Sequence, residues 1–179
     1  TIYFGGDGID HVRGIAVDSA GRVYLVGSTT SFNFPVVNAL QPRLNGSQDA
    51  FLCRLTPVGG FDYCTFLGGS RSDSAAAVAV DASGAAYLTG DTLSTDFPVT
   101  AGAFQRISQP ADVFRTPSDA FVTKVSPDGR SLIYSTYLGG RSVVCIGGSR
   151  CIPAASRDAG AAIAVDTTGN AYVAGRTNS

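Results

Sequence analysis

The sequence contains no tryptophan or methionine, a single histidine and few charged residues. Thirteen Lys and Arg side chains nearly balance fourteen Asp and Glu, which gives a net charge of -1. A near-neutral chain without a basic stripe has no means of releasing counterions from a nucleic-acid backbone, so nucleic acid is not expected as a partner. The lone histidine, His11, excludes a multi-histidine metal site within one chain. Since no motif accompanies it, we assign no catalytic residue and no cofactor.

Long apolar runs are also missing. No window reaches the roughly 18 apolar residues that a membrane helix needs, and the first residues lack the basic and apolar regions of a signal peptide. We therefore expect no membrane insertion. Glycine, in contrast, is abundant, with 22 residues. This composition favours many short strands joined by tight turns over a helical bundle.

The sequence repeats itself. The segment IAVDSAGRVYLVGST at 15–29 returns as VAVDASGAAYLTGDT at 78–92 and as IAVDTTGNAYVAGRT at 163–177. A second half-unit begins with Asp-Ala-Phe and ends with Gly-Gly, at 49–69 and 119–140, and TIYFGG at the start of the chain matches its last six residues. Connectors containing Phe-Pro, at 32–41 and 95–105, lie between the halves. Self-similarity at this period is typical of repeat folds.

Each unit contains four apolar runs separated by Gly, Pro, Asp and Ser, which predicts four short antiparallel strands, named a to d. Strand a carries small residues and is expected to be the innermost strand, packed on both faces, with Ala16, Ala79 and Ala164 near the ring axis. The Gly-Gly pairs after strand d, such as Gly68 and Gly69, are expected to allow close approach and positive φ where the chain crosses to the next unit.

The turn between strands a and b has Asp at its first position and Gly at its last, where Asp accepts backbone hydrogen bonds and Gly relieves the exit of the turn. The turns are Asp18 to Gly21, Asp81 to Gly84 and Asp166 to Gly169. These carboxylates, with Asp49 and Asp119 at the start of strand c, are also candidates for acid–base or calcium chemistry. Because each recurs in the repeat, we interpret them as structural.

The motifs (T/Y)(Y/F)LGG, (I/V)AVD-x-x-G-x-x-Y-(L/V)-x-G, S-x-DFP and DAF(V/L) together resemble the SBBP-type bacterial β-propeller repeat, and more distantly the NHL repeat. The resemblance implies an all-β propeller of four-stranded antiparallel blades, found mainly in large bacterial surface or secreted proteins. We expect a partial ring: residues 1–6 as the outer strand of a preceding blade, 7–69 as blade 1, 70–140 as blade 2, and 141–179 as an insertion plus two strands of a third blade.

Eleven predicted strands are too few for a closed propeller of four to eight blades, so the terminal strands would present open edges. Two kinds of partner would complete the ring. One is the remaining blades of a longer parent protein, and the other is a homo-oligomer in which each chain supplies part of the ring.

The units differ in length. Asp81 and Asp166 lie 85 residues apart, against 63 for Asp18 and Asp81, so the second interval has about 22 extra residues. The additions fall around 105–119 and 141–160. They are either tolerated surface loops or the place where a protein or glycan ligand binds.

The four cysteines form two plausible pairs. Cys145 and Cys151 lie within the long insertion, and Cys53 and Cys64 flank the first turn between strands c and d, where they would face each other across the hairpin. Two disulfides would indicate an oxidising compartment, extracellular or at the cell surface. The alternative is four buried thiols acting as small apolar residues.

Two functions remain in competition. The first is a non-catalytic structural or ligand-binding module. The second is a propeller enzyme acting on glycan or peptide, with its active site completed by other blades or by a second chain. Phe34, Phe97 and Phe104 would serve the first as an aromatic platform, but their repetition favours plugs between blades.

Overall fold

The computed structural model describes residues 3–108, 117–140, 142–146, 150–154 and 156–179. Within these residues the chain forms twelve strands and no helix. The strands are β1 (Asp10–Val17), β2 (Val23–Thr29), β3 (Asp49–Leu55), β4 (Phe61–Leu67), β5 (Asp73–Val80), β6 (Ala86–Thr92), β7 (Asp119–Val125), β8 (Leu132–Leu138), β9 (Ser142–Ile146), β10 (Arg150–Ala154), β11 (Ala159–Val165) and β12 (Ala171–Arg176). The described part of the chain contains no helix with the length and hydrophobicity needed to span a membrane.

Two antiparallel four-stranded sheets, in the orders β1-β2-β3-β4 and β5-β6-β7-β8, form blade 1 and blade 2. The pair β11–β12 is the start of a third blade, and β9–β10 is a separate hairpin. The four strands of each complete blade are the predicted strands a to d. Tight turns join strand a to b and strand c to d, where Asp, Pro and Gly recur between short apolar runs, whereas the longer Phe-Pro connector joins strand b to c.

The innermost strands share an irregularity. The pairing of β1 with β2 shifts between Val12 and Gly14, and equivalent shifts occur in β5 and β11. One extra residue at this point is a β-bulge, which increases the local twist of the strand. The bulge therefore belongs to the repeat and recurs in all three described inner strands.

The main core lies between blade 1 and blade 2. It contains Leu52 and Leu67 from blade 1 and Leu88 and Phe121 from blade 2, all buried. A second, aromatic cluster includes Phe34, Phe51 and Phe66. The free energy of the fold therefore comes largely from blade-to-blade packing, because a single sheet buries only the faces that a neighbour covers.

The packing of the inner strands differs from the prediction. Ala16 and Ala79 are half-buried and Ala164 is exposed, and Ile15 and Val17 of β1 are 65% and 61% exposed. Only a blade with a neighbour on each side has its inner strand covered on both faces. β5 meets this condition, since it contacts both β1 and β11.

The segment before β1 and the insertion after β8 add two details to the predicted order of strands. Residues 3–9 form no strand, although Phe4 still packs edge-on against Phe34 and Phe61, with ring centroids 5.8 and 5.6 Å apart. A lone extended segment needs a hydrogen-bonded neighbour to count as a strand, and here strand d pairs only with strand c. The insertion, in turn, contributes the unpredicted hairpin β9–β10.

Of the three connector phenylalanines, Phe97 lies in the core between blades 1 and 2, Phe34 is buried in the aromatic cluster of blade 1, and Phe104 is on the surface. Phe34 and Phe97 are 3% and 2% exposed, whereas Phe104 is 86% exposed. The prediction for Phe104 was wrong because it does not occupy the Phe-Pro position of its connector. Leu40, also outside the Phe-Pro dipeptide, is its counterpart in the first connector.

Candidate functional site: the blade junctions and the open third blade

The turn between strands a and b has the same hydrogen bonds in each unit. Asp18 Oδ1 accepts from the backbone N–H of Ala20 at 2.9 Å and of Arg22 at 3.0 Å. Gly21 closes the turn with φ of 75°, and Gly84 and Gly169 do so with 85° and 88°. A side chain is strained in this left-handed region, which explains the glycine. Asp81 and Asp166 bond their own turns in the same way.

In blades 1 and 2, a tyrosine joins the turn to the blade that follows. The hydroxyl of Tyr24 lies 3.2 Å from Asp18 Oδ2 and 3.1 Å from the carbonyl oxygen of Gly84 in blade 2. The hydroxyl of Tyr87 has the equivalent position, 2.9 Å from Asp81 Oδ2 and 3.3 Å from the carbonyl oxygen of Gly169 in the third blade. The Asp-x-x-Gly turn of one blade is thus an acceptor for the tyrosine of the blade before it.

Replacing Tyr24 by phenylalanine tests this contact. Tyr24 is fully buried, so the Y24F chain loses a hydrogen bond and leaves the Gly84 carbonyl without that donor. We expect a loss of about 1–2 kcal/mol in the free energy of unfolding, measured by denaturant titration. Tyr172 occupies the same place in the third blade but is 59% exposed, and the matched Y172F change should cost under about 0.5 kcal/mol. Equal losses in the two variants would contradict a role for the contact between blades.

A second repeated contact, which sequence analysis missed, anchors the start of the inner strands β1 and β5. Asp73 accepts hydrogen bonds from the Thr92 hydroxyl, the Ser94 hydroxyl at 2.9 Å and the Gly69 backbone N–H at 2.8 Å. Asp10 has the matching partners, which are Thr29, Ser31 and Gly6. The available signal was an Asp after each Gly-Gly pair together with the recurring Thr-x-Ser at the end of strand b.

The crossing between blades brings two carboxylates close to a glycine. A Cβ atom at Gly68 would lie 2.7 Å from Asp49 Cγ and 2.7 Å from Asp73 Oδ2. Close approach is therefore the reason for glycine here, as predicted, whereas the predicted positive φ occurs in the first Gly-Gly pair, at Gly5 with φ of 156°, and not in the other two pairs. Gly68, Gly69 and their counterparts Gly139 and Gly140 are not among the residues with positive φ.

The pKa of Asp73 is raised to about 6, because burial and, to a smaller extent, the neighbouring Asp49 carboxylate outweigh the three hydrogen bonds, which lower it. A carboxyl whose folded-state pKa exceeds its unfolded value favours folding in its protonated form. Its contribution is fully present below about pH 4 and is lost as the pH rises through about 6.

The D73N chain should lose this pH dependence. Between about pH 7 and about pH 4.5, the wild-type free energy of unfolding should rise relative to that of D73N by about 2 kcal/mol. Denaturant titrations of both chains at several pH values in this window measure the difference between their free energies of unfolding. The pH dependence caused by the other carboxylates is present in both chains and largely cancels in this difference. Parallel curves for the two chains would show that Asp73 does not titrate in this range.

The cysteines of blade 1 form a disulfide. Cys53 and Cys64 face each other in the β3–β4 register, and their sulfur atoms are bonded. At the same position blade 2 pairs Thr123 with Ser135, whose hydroxyl oxygens are 2.8 Å apart. In the β9–β10 hairpin the backbone places Cys145 opposite Cys151. Their side chains lie outside the described residues, so that disulfide stays a prediction.

Candidate chemical groups are dispersed. His11 is exposed on β1. The described residues bring together no group of three His, Cys, Asp or Glu side chains suited to a metal ion. Asp49 is buried, and its carboxylate accepts from the N–H groups of Asn45 and Gly46. The recurring carboxylates are thus engaged with the backbone of the scaffold.

The third blade has an open side. Two cavities of about 400 and 580 Å³ lie between β8 and β12, and both are lined by Leu138 and Val173. Leu138 is 41% exposed, whereas Leu67, its counterpart in blade 1, is 1% exposed. The difference arises because blade 2 covers Leu67, while β11 and β12 cover only part of the equivalent face of blade 2.

Antiparallel sheets with a repeated inter-blade tyrosine contact and a repeated aspartate anchor define the protein as a β-propeller. A family model described as the SBBP β-propeller repeat matches residues 1–35 and 133–179. This match confirms the resemblance, and together with the antiparallel sheets it confirms the predicted fold class. Comparison with curated proteins finds no matching relative.

Proposed function

We propose that the chain is a non-catalytic structural and interaction module of a bacterial secreted or cell-surface protein. The observation that carries the proposal is that the repeated polar residues form hydrogen bonds within the scaffold. Asp18 and Asp81 bond their turns, Tyr24 joins two blades, and Asp10 and Asp73 anchor inner strands. The repeat thus specifies a rigid scaffold, on which loops that differ between units supply recognition.

The disulfide supports a compartment outside the cytoplasm. Cys53 and Cys64 are fully buried among aromatic side chains, and blade 2 forms the same hairpin without cysteines. The blade itself therefore does not require this pair. A disulfide added to a fold that forms without it is typical of secreted and surface proteins.

The element proposed for recognition is the β9–β10 hairpin. The crossing from blade 1 to blade 2 passes from Gly69 to Asp73 through three residues, whereas the crossing from Gly140 to Asp158 contains the whole hairpin. Since both crossings join equivalent strands, the extra residues are not needed for the scaffold. We propose that they bind a protein or a glycan.

Binding arrays test this function directly. The labelled chain is applied to glycan and peptide arrays beside a variant in which 141–157 is replaced by Ser-Arg-Ser, the sequence of 70–72. The proposal expects binding by the chain and its loss in the variant, with unchanged thermal unfolding of blades 1 and 2. Turnover of a glycosidase or peptidase substrate panel by the chain would favour an enzyme instead.

A further inference from the structure

A small cavity lies at the edge of blade 1, between the crossing that leads into β1 and the segment that follows β2. Its volume is about 210 Å³. The rim pocket, as we call it, is lined by Asp7, Gly8, Thr30, Ser31, Phe32 and Asn33. Sites for drug-sized ligands have volumes of roughly 300–1,000 Å³, so this pocket has room for one smaller unit, such as a single sugar ring.

Hydrogen bonds hold the two sides of the rim pocket together. The backbone N–H of Asp7 donates to Asn33 Oδ1 at 2.9 Å, and that of Gly8 donates to Ser31 Oγ at 2.9 Å. These bonds join residues that are 26 and 23 positions apart in the sequence. The pocket is therefore formed before any ligand arrives, which lowers the cost of ordering it on binding.

Phe32 adds an aromatic ring to this polar surface. Its side chain is 86% exposed, although it lies between the polar residues Ser31 and Asn33. Phenylalanine is usually buried, and an exposed ring offers a flat apolar face to a ligand. Within the described part of the chain, the Asp7 carboxylate and the Asn33 Nδ2 group have no hydrogen-bond partner. The pocket thus combines an aromatic face with one free acceptor group and one free donor group.

The chemistry of the rim pocket belongs to one unit of the repeat. The residues that replace Asp7, Gly8 and Phe32 at the crossing from blade 1 to blade 2 are Ser70, Arg71 and Thr95. Blade 2 therefore has neither the aromatic ring nor the space left by a glycine. It keeps the bond that shapes the crossing, because Asp96 Oδ1 accepts from the N–H of Ser70 at 2.8 Å. A side-chain difference on a shared loop geometry is typical of recognition.

A preceding blade leaves this part of the edge open to solvent. The crossing from blade 1 to blade 2 shows this, because the connector of blade 1 contacts it: a Cβ atom at Gly46 would lie 1.7 Å from the carbonyl oxygen of Arg71. Ser70, Thr95 and Asp96 are nevertheless exposed at that crossing. The exposure of the equivalent positions in the rim pocket is therefore a property of the repeat.

We propose that the rim pocket binds a single sugar residue of a glycan. Phe32 stacks on the apolar C–H face of a pyranose ring, and Asp7 and Asn33 bond its hydroxyl groups as acceptor and donor. A peptide fits less well, because the backbone N–H groups of Gly8 and Ile9 already donate to side chains and cannot pair with its main chain. The proposal rests on the proposed recognition role of the loops, but not on the β9–β10 hairpin.

An NMR titration of the intact, isotope-labelled chain tests this site. The probes are the methyl glycosides of glucose, galactose, mannose and N-acetylglucosamine. We expect saturable binding of at least one glycoside, with a dissociation constant on the order of 1 mM, because a single sugar ring makes few contacts. The amide signals that shift should be those of residues 7–9 and 30–33.

Matched substitutions identify the contact. F32T introduces the residue that blade 2 has and should weaken binding at least about tenfold, because the stacking face is lost. F104T removes the same side chain at a position that is also 86% exposed, and it should leave the dissociation constant unchanged. F32Y keeps the ring and should bind as the parent chain does. Thermal unfolding checks that each variant is folded.

Two outcomes would overturn the proposal: no saturable binding by any of the glycosides, or equal binding by F32T and the parent chain. Failure of the β9–β10 hairpin as a recognition element gives a different result. The variant with 141–157 replaced by Ser-Arg-Ser keeps the rim pocket and should bind the glycoside, whereas F32T keeps the hairpin and any array ligand that the hairpin binds.

Discussion

Replacing Phe121 by alanine is expected to destabilise the chain by about 3–5 kcal/mol, the largest effect of any single change considered for this protein. Phe121 is fully buried, and its ring centroid lies 4.6 Å from that of Phe97. It also belongs to the cluster that joins blades 1 and 2. Alanine would remove this contact and leave a cavity in the junction, which the rigid sheets on either side would fill only partly.

Denaturant titration of the F121A chain measures this loss. F104A is the matched control, because it deletes the same side chain at a position that is 86% exposed. The control should change the free energy of unfolding by less than about 0.5 kcal/mol. A loss below about 1 kcal/mol in F121A would mean that the junction does not hold the two blades together.

Removing the disulfide of blade 1 is expected to have the second largest effect. In the C53T/C64S chain both cysteines take the residues that blade 2 has at this position, so the hairpin keeps a buried hydroxyl pair equivalent to Thr123 and Ser135. The change removes a cross-link between residues with a sequence separation of 11. Closing a loop of that size restricts the unfolded chain by on the order of 3 kcal/mol.

The measurement compares the unfolding of the two chains with and without a thiol reductant. In reductant, the free energy of unfolding of the wild-type chain should be about 2–3 kcal/mol lower than without it. The free energy of unfolding of C53T/C64S should equal that of the reduced wild type. Any effect of reductant that persists in C53T/C64S would report a disulfide between Cys145 and Cys151. If oxidised wild type and C53T/C64S unfolded at the same denaturant concentration, the cross-link would contribute nothing to stability.

Local features were predictable because they depend on neighbouring residues. The Asp-x-x-Gly turns close through bonds between residues two to four apart, as at Asp18 and Ala20. The facing cysteines follow from hairpin register once the turn between them is located. Repetition of the connector phenylalanine predicted that Phe97 fills the space between blades.

The Asp73 anchor was missed because its partners come from distant parts of the sequence, with Thr92 and Ser94 lying 19 and 21 residues away. Recurrence of an aspartate after Gly-Gly does not reveal that it is buried. Nor does it reveal that its pKa is raised, since desolvation depends on the blades packed around it.

The repeat in the amino-acid sequence by itself determined the strand order of each blade, the turns and the identity of the fold, because hydrophobic alternation and turn chemistry act over short distances. Only the tertiary structure decided which repeated residues are covered. Tyr24 and Tyr172 occupy the same place in the repeat, yet one is buried and the other is 59% exposed. Burial depends on which residues of neighbouring blades pack against a side chain, and local sequence does not specify those contacts.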